Sequence, residues 1–199
     1  LVGGPGDDRL FGGLDGEYFP EDSYQGDLLV PGPGDDFVDL GDDPQSEDGS
    51  WDGPGEYDRV SYRDAAGPVS VDLSTGRATG EGTDTIVVPQ WSGGIVGSAF
   101  DDVLVGSDVR DTLQGGGGDD RIFGRGGADV IEPDRVGPVT MQQYDWSEAP
   151  GDDVVRAGAG KDMVFSTLGR DRVFGEGGKD YLVGEDRGTH LGGGNAADD

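Results

Sequence analysis

A nine-residue period is the feature that most constrains how this chain folds. Residues 97–132 divide into four rows of nine, GSAFDDVLV, GSDVRDTLQ, GGGGDDRIF and GRGGADVIE. Aspartate occupies the sixth place of every row, and a branched apolar residue occupies the eighth. Four more rows fill 148–183, and single rows lie at 3–11, 31–39 and 79–87. A fixed short period indicates a repeat architecture, because each unit must stack on its neighbours to bury its apolar side.

The residue types in each row predict a turn followed by a short strand. Glycines are frequent in the first six places, where their access to positive φ lets backbone carbonyls crowd inward. The last three places predict a strand with one inward apolar side chain. We therefore predict that two rows complete one coil of a right-handed parallel β-helix, so that residues 18 apart stack directly. The predicted inward residues are Leu10, Val38, Leu104, Leu113, Ile122, Ile131, Val155, Val164, Val173 and Leu182.

The same register stacks the sixth-place aspartates on one another. It places Asp84 beneath Asp102 and Asp120. The other predicted pairs are Asp111 with Asp129, Asp153 with Asp171, and Asp162 with Asp180. Two stacked turns then offer two carboxylates and several carbonyls, hard oxygen donors that suit calcium. Aspartate can also cap its own turn, but capping alone would not keep one phase across two blocks.

Composition limits the classes of partner. The chain has 41 Gly and 11 Pro in 199 residues, 32% hydrophobic content and a formal net charge of −28, values that without order would favour disorder. The regular placing of the aspartates opposes that interpretation. The negative charge excludes nucleic acid as a partner. The sequence contains no run of about 20 apolar residues, the length of a membrane span, and no cysteine for disulfides or cysteine-based metal sites.

The rows resemble G-G-x-G-x-D-x-U-x, the calcium-binding nonapeptide of RTX proteins. The stretch DRVSYRDAAGPVSVDLSTGRATGEGTDTI at 58–86, followed by IVGSAFDDVLVG at 95–106, is similar to a segment common between repeat blocks of hemolysin-type calcium-binding proteins. The resemblance implies an all-β fold, a right-handed parallel β-roll (a β-helix or solenoid) built from nonapeptide repeats with inserted loops. It also implies an extracellular bacterial setting and folding on calcium after export.

Carried over by position, the resemblance implies several Ca²⁺ ions held between adjacent turns. The implied side-chain ligands are the sixth-place aspartates Asp8, Asp36, Asp84, Asp102, Asp111, Asp120, Asp129, Asp153, Asp162, Asp171 and Asp180. The implied carbonyl ligands belong to Gly4, Gly6, Gly115, Gly117, Gly118, Gly124, Gly126, Gly158, Gly160, Gly175 and Gly177. Because one small apolar residue in nine gives a thin core, the metal must supply much of the stability.

Some rows depart from the pattern. Phe100 and Val109 stand where middle glycines are usual, and the row at 88–96 has Gly93 in place of aspartate, so we expect no ion in that turn. The fifth-place acids are expected to be solvated; they are Asp7, Asp35, Asp101, Asp119 and Asp152. Insertions at 12–30, 40–57 and 133–147 interrupt the register.

Rows and insertions divide the chain into four regions. Residues 1–57 hold degenerate repeats with aromatic and acidic insertions, and residues 58–132 hold the inter-block segment and the first regular block. Residues 133–147 form an insertion, and residues 148–199 hold the second regular block and the C-terminal end. Leu1-Val2 fits the last two places of a preceding row, so we expect the chain to belong to a longer array.

Three functions are compatible with these features. The leading hypothesis is a calcium-binding structural repeat module of a secreted or cell-surface protein, which folds on calcium binding and has no catalysis of its own. An alternative is an adhesin-like or carbohydrate-binding module that contacts a carbohydrate or protein partner through the inserted aromatics Trp51, Trp91, Tyr144 and Trp146. A further alternative is a non-catalytic accessory domain of a secreted hydrolase. His190, the only histidine, is expected at the surface or at the end of the coil.

Overall fold

The structure is a computed structural model that describes residues 1–12, 27–41, 58–90, 92–135, 150–184 and 189–193. Every regular element in these ranges is a β-strand, which confirms the predicted all-β class. The same ranges contain no helix with the length and apolar character to cross a membrane. The aromatics of the carbohydrate-binding hypothesis, Trp51, Trp91, Tyr144 and Trp146, lie outside the described residues, so that hypothesis stays a prediction.

The described strands are short, as expected from three-residue strand segments. Those up to residue 105 are β1 (Arg9–Phe11), β2 (Leu28–Leu29), β3 (Phe37–Asp39), β4 (Arg59–Ser61), β5 (Ser70–Asp72), β6 (Arg77–Thr79), β7 (Thr83–Val87), β8 (Ser92–Val96) and β9 (Val103–Val105). The rest are β10 (Arg110–Gln114), β11 (Arg121–Phe123), β12 (Gly126–Gly127), β13 (Val130–Glu132), β14 (Val154–Gly160), β15 (Met163–Ser166), β16 (Arg172–Gly178), β17 (Tyr181–Gly184) and β18 (His190–Gly192).

The strands form two sheets that the chain visits in alternation. The first sheet has the order β1-β3-β7-β6-β5-β9-β11-β14-β16-β18, with β12 paired to β14. The second has the order β17-β15-β13-β10-β8-β4-β2. Apart from the segment β5–β7 and the short β12, consecutive strands lie in opposite sheets. One pass through both sheets is therefore one coil, and outside the segment β5–β7 each described coil pairs with the next in parallel.

The pairing register tests the predicted 18-residue stacking. Arg121 pairs with Val103, 18 residues earlier, as predicted for uninterrupted rows. On its other side Arg121 pairs with Val154, 33 residues later. The extra residues equal in number the predicted insertion at 133–147, so the insertion leaves the register of the coils unchanged.

The segment from β5 to β7 departs from the predicted register. β6 pairs antiparallel with both β5 and β7, and β5 is the strand that lies beside β9. β7 pairs on its other side with β3, which brings Asp84 next to Asp36 and leaves Val69 next to Asp102. The prediction that Asp84 lies beneath Asp102 and Asp120 is therefore wrong, because β5 and β6 intervene.

The eighth-place apolar residues form the core between the sheets. Nine of the ten predicted inward residues are at most 5% exposed, and Leu182 is partly buried against them. Leu29, Val60 and Ile95 occupy equivalent places in the second sheet and are fully buried. Burying one such side chain contributes roughly 1.5–3 kcal/mol. Because most strands contribute only one such side chain, the core is thin, and interactions in the turns must contribute to the stability of the stack.

Candidate metal centre

The sixth-place aspartates lie in columns along the two sheets, each at the residue before or at the start of a strand. In the first sheet, Asp8, Asp36 and Asp84 follow one another, and Asp102, Asp120, Asp153 and Asp171 form a second run beyond the hairpin. In the second sheet the column is Asp111, Asp129, Asp162 and Asp180. Nine of these eleven residues are at most 3% exposed, and Asp8 and Asp180, at column ends, are half-buried.

One carboxylate oxygen of every column residue except Asp8 and Asp111 accepts a backbone N–H from an adjacent strand of the same sheet. The backbone N–H of Asp102 donates to Asp120 Oδ1 at 2.8 Å, and that of Asp120 donates to Asp153 Oδ1 at 2.7 Å. In the second sheet, the N–H of Asp111 donates to Asp129 Oδ1 at 2.9 Å. The remaining links are Asp129 to Asp162 at 2.9 Å, Asp153 to Asp171 at 3.0 Å and Asp162 to Asp180 at 3.2 Å. The predicted pairs other than those of Asp84 are thus confirmed.

The second carboxylate oxygen has no hydrogen-bond partner among the described residues in five cases. These are the Oδ2 atoms of Asp36, Asp120, Asp129, Asp153 and Asp162. An unsatisfied buried acceptor costs about 1–3 kcal/mol, and a charged one costs more. Five such atoms in one repeating position form a set of buried anionic acceptors that suits a cation.

Backbone carbonyls approach the same places. A Cβ added to Gly124 would lie 2.5 Å from Asp129 Oδ2, and it would meet the carbonyl oxygen of Ala157, in the next coil, closer still. Carboxylate and carbonyl oxygens therefore flank the same turn glycine, and both are donors that calcium prefers. The predicted carbonyls that face a turn glycine of an adjacent coil are those of Gly4, Gly6, Gly115, Gly118, Gly124, Gly158 and Gly160.

The donor set is mixed in character. Within the described ranges, three or more Asp, Glu or His side chains do not gather around a common point. A cation held here would therefore complete its shell with main-chain carbonyls. Calcium tolerates such a shell of six to eight oxygens, whereas magnesium requires a smaller and more regular octahedron.

Burial perturbs the protonation of these carboxyls. Removal from water raises the pKa of Asp120 and of Asp129 to about 9, and that of Asp153 to about 8. Burial likewise raises the pKa of Asp111 and of Asp162 to about 6. Stacked neighbours add like-charge repulsion, for example Asp153 on Asp120. Near pH 7 and without a cation, Asp120, Asp129 and Asp153 therefore favour the neutral form, and a cation bound to these three would displace protons.

Other column aspartates are closed by hydroxyl groups. Ser98 donates its backbone N–H to Asp102 Oδ2 at 2.5 Å and its hydroxyl to Asp102 Oδ1 at 2.9 Å. Ser107 makes both of its bonds to Asp111 Oδ2, at 2.5 and 2.9 Å. The Tyr62 hydroxyl donates to Asp84 Oδ2 at 2.7 Å.

The fifth-place acids form a separate, solvent-facing ladder. The N–H of Asp119 donates to Asp101 Oδ1 at 2.9 Å, and the N–H of Asp152 donates to Asp119 Oδ1 at 2.8 Å. All five fifth-place aspartates are exposed, which confirms the expectation that they are solvated. These carboxylates stay in contact with water, whereas most of the sixth-place carboxylates are buried.

Sequence reasoning missed three buried or half-buried aspartates. The N–H of Asp27 donates to Asp58 Oδ1 at 2.5 Å, which extends the second-sheet column. Because Asp27 and β2 pair in register, the predicted insertion at 12–30 ends earlier than expected. Both aspartates precede an apolar residue by two places, a signal that could have located them. Asp134, 2% exposed, lies out of phase, and the row pattern gives no signal for it.

Gly93 occupies a position in the second sheet where the other rows have aspartate. Gly93 pairs with Asp111, so the column of carboxylates in the second sheet is interrupted there. Asp111 Oδ1 faces Gly93, at 3.0 Å from an added Cβ, and has no hydrogen-bond partner among the described residues. This turn accordingly presents one carboxyl group where neighbouring turns present two.

Comparison with known proteins bears on these columns. The family model described as the RTX calcium-binding nonapeptide repeat matches the chain in four copies, at residues 1–16, 96–131, 150–173 and 157–186. No curated protein matches the chain. The matched ranges contain nine of the eleven column aspartates; they are Asp8, Asp102, Asp111, Asp120, Asp129, Asp153, Asp162, Asp171 and Asp180.

Proposed function

We propose that this chain, which carries four copies of the RTX calcium-binding nonapeptide repeat, is a calcium-binding structural module that folds as a right-handed β-roll when calcium fills its turns. The observation that carries the proposal is the set of buried, unpartnered Oδ2 atoms in the sixth place. A repeat of this family supports calcium as the ion. The hard oxygen character of the turns supports it independently.

The ligands would be the sixth-place carboxylates together with carbonyls of the turns above and below. In the column around Asp120, the candidates are Asp120 and Asp153 with two carbonyls. The Pro133 carbonyl flanks Gly115 together with Asp120 Oδ2, and the Gly118 carbonyl flanks Gly151 together with Asp153 Oδ1. Each calcium ion supplies two positive charges to a chain whose formal net charge is −28. A bound ion would cancel the repulsion between stacked carboxylates and would give their buried oxygens a partner. Both effects would stabilise the folded stack only, because the unfolded chain does not hold these oxygens together.

Folding and binding are coupled on this account. Because the ligands of one ion come from adjacent coils, the unfolded chain does not present them together. Calcium therefore stabilises the folded state by mass action, by RT ln(1 + [L]/Kd) for each site. The thin core makes that contribution large relative to hydrophobic burial.

The biological setting belongs to the same proposal. Calcium is abundant outside a cell and scarce in the cytosol. A module of this kind would therefore stay unfolded until export and fold outside the cell. We infer a bacterial secreted or cell-surface protein and a non-catalytic role for this chain. His190, on the terminal strand of the first sheet, is exposed, which suits an end position.

The experiment compares two neighbouring aspartates by isothermal titration of the full chain with calcium. Asp120→Asn replaces a residue 1% exposed whose Oδ2 is unpartnered, and Asp119→Asn replaces an exposed one. Asp120→Asn should remove at least one bound ion and weaken binding in the adjoining turns. Asp119→Asn should keep the number of ions and change Kd less than about threefold, as expected for a screened surface charge. Equal effects of the two variants, or no calcium binding by the parent chain, would refute the proposal.

A further inference from the structure

The sixth-place aspartates fall into two classes according to what satisfies their second oxygen. In the first class Oδ2 is buried and unpartnered within the described residues, and the members are Asp36, Asp120, Asp129, Asp153 and Asp162. None of the turns that lead to these residues carries a Ser, Thr or Tyr in its six places. We refer to these as open turns.

In the second class both carboxylate oxygens accept hydrogen bonds, and at least one of the donors is a hydroxyl group. Asp102 is the clearest member. Its Oδ1 accepts from the N–H of Val69 and the hydroxyl of Ser98, and its Oδ2 accepts from the N–H of Ser98. The same hydroxyl accepts the N–H of Phe100 at 3.1 Å, so Ser98 also orders the non-glycine residue of its turn. We refer to such turns as hydroxyl-closed.

Asp171 is closed by a different set of hydroxyls. Its Oδ1 accepts the N–H of Asp153, and its Oδ2 accepts the hydroxyls of Ser166 and Thr189, the latter at 3.2 Å. Ser166 stands in the first place of its row, where the G-G-x-G-x-D pattern has glycine. Thr189, one coil on, stands 18 residues after Asp171 in the place of the next aspartate.

Asp134 completes this turn from outside the repeat. Its carboxylate accepts the backbone N–H groups of Thr167 at 3.0 Å and of Leu168 at 3.2 Å. The N–H of Gly151, in the coil before, lies 3.4 Å from its other oxygen. Asp134 thus binds the amides of a turn that lacks the usual glycines.

Asp84 is the third member. Its Oδ1 accepts the N–H of Asp36 at 3.1 Å, and its Oδ2 accepts the Tyr62 hydroxyl at 2.7 Å. Both residues are at most 1% exposed. Asp111 is intermediate, because Ser107 satisfies its Oδ2 while its Oδ1 faces Gly93.

We infer that calcium occupies only the open turns, and that the turns of Asp84, Asp102 and Asp171 are held by their hydroxyl groups without metal. The inference rests on the proposed calcium-binding function and assigns the ions within it. A carboxylate whose two oxygens already accept buried hydrogen bonds gains little from a cation, because the ion would have to displace those donors. An open turn has no such donor to lose.

The arrangement places metal-independent turns in the middle of the stack. Along the first sheet, Asp84 lies at the start of β7 and Asp102 precedes β9, the two strands that flank the β5–β6 hairpin, with open turns on both sides. Asp171 closes the last coil before β18. The turns of Asp84 and Asp102 would therefore be ordered by hydrogen bonds before calcium binds, and calcium binding would add the neighbouring coils to them.

The test compares two aspartates that are adjacent in one column, using the full chain and calcium. Asp120→Asn removes an open-turn carboxylate, and Asp102→Asn removes a hydroxyl-closed one whose backbone N–H still donates to position 120. Isothermal titration should show at least one ion fewer for Asp120→Asn. For Asp102→Asn it should show the parent number of ions with Kd changed less than about threefold, a shift within the range of indirect effects.

Measurements in chelator distinguish the hydroxyl-closed turns from the open turns, because substitutions in the two classes should change the stability of the metal-free chain differently. Asp102→Asn and Ser98→Ala remove hydrogen bonds that need no metal, so the residual β-signal in chelator, measured by circular dichroism, should fall. Asp120→Asn replaces a buried carboxyl whose Oδ2 is unpartnered within the described residues, and its amide oxygen can still accept the Asp102 N–H, so the β-signal in chelator should stay level or rise. Asp171→Asn repeats the hydroxyl-closed measurement in another coil and serves if Asp102→Asn does not fold.

The outcomes bear on different claims. Loss of an ion in both Asp102→Asn and Asp171→Asn would overturn the inference and leave the proposed function standing. Retention of every ion by Asp120→Asn would overturn the inference as well. Failure of the parent chain to bind calcium would overturn the proposed function and the inference together.

Discussion

Replacing Gly106 with alanine tests how closely the coils stack. Gly106 is the first residue of the row at 106–114, and a Cβ there would lie 2.6 Å from the carbonyl oxygen of Gly124 and 2.7 Å from Asp111 Oδ2. Ordinary van der Waals contact for such a pair begins near 3.4 Å. The Gly124 oxygen belongs to the backbone of the next coil, so no side-chain rotation relieves the overlap.

The expected loss follows from that overlap. Overpacking in a close-packed interior costs about 1–3 kcal/mol, and a clash with backbone that is itself paired belongs at the upper end. We therefore expect Gly106→Ala to lower the free energy of unfolding by about 3 kcal/mol in saturating calcium. Gly126→Ala is the matched control in the row at 124–132, one coil further on, because its added Cβ would meet nothing closer than 3.7 Å.

Urea unfolding followed by circular dichroism measures both variants. Gly126→Ala should change the free energy of unfolding by less than about 1 kcal/mol, and reduced chain entropy in the unfolded state can make the change stabilising. A Gly106→Ala variant as stable as the parent, or as stable as Gly126→Ala, would refute the described contact between the coils.

Two further predictions follow from burial. Ile122→Ala removes a core side chain with no exposure and should cost about 2–5 kcal/mol in urea unfolding, whereas Leu191→Ala, at 45% exposure, should cost less than about 1 kcal/mol; equal losses would contradict the assigned core. In chelator, acidification from pH 9 towards pH 4 should stabilise the fold, because burial raises the pKa of Asp120 and Asp129 to about 9 from 3.8 and the folded state then binds more protons than the unfolded chain. Circular dichroism against pH checks the sign, and loss of β-signal on acidification over this range would contradict it. In calcium the order reverses, because protons compete for the ligands, so the calcium midpoint should rise on acidification.

Local repetition explains what could be predicted from the sequence. The sixth-place aspartates and eighth-place apolar residues recur every nine residues, so each row reports the same side-chain environment. Pairs such as Asp111 with Asp129 follow from the period alone, because no insertion separates their rows. The burial of Leu113 and Ile122 follows for the same reason.

Contacts that break the period could not be predicted in this way. Asp84 has the right phase relative to Asp102, but β5 and β6 fold back as a hairpin between them, and phase does not record the path of the chain. Tyr62 and Asp134 reach the columns from outside the rows. Their roles depend on tertiary proximity, which a one-dimensional pattern does not contain.

The sequence places a serine in two of the turns, but it does not predict that the serine hydroxyl bonds the aspartate of its row. The rows of Ser98 and Ser107 differ from the family pattern in their middle places, and the sequence drew attention to the bulky Phe100 and Val109. The structure shows that each serine hydroxyl bonds the carboxylate of its own row and accepts an amide of the turn. A Ser in the second place therefore changes what satisfies the aspartate, a rule that can be applied to other rows.

The most direct test of calcium-driven folding is a far-UV circular dichroism titration of the full chain with calcium, with magnesium and chelator as controls. The account predicts a weak β-signal in chelator, a cooperative increase with calcium, and little change with magnesium, which requires a smaller and more regular shell. A complete β-signal in excess chelator, or an equal response to magnesium, would contradict the claim that calcium in the aspartate turns holds the stack together.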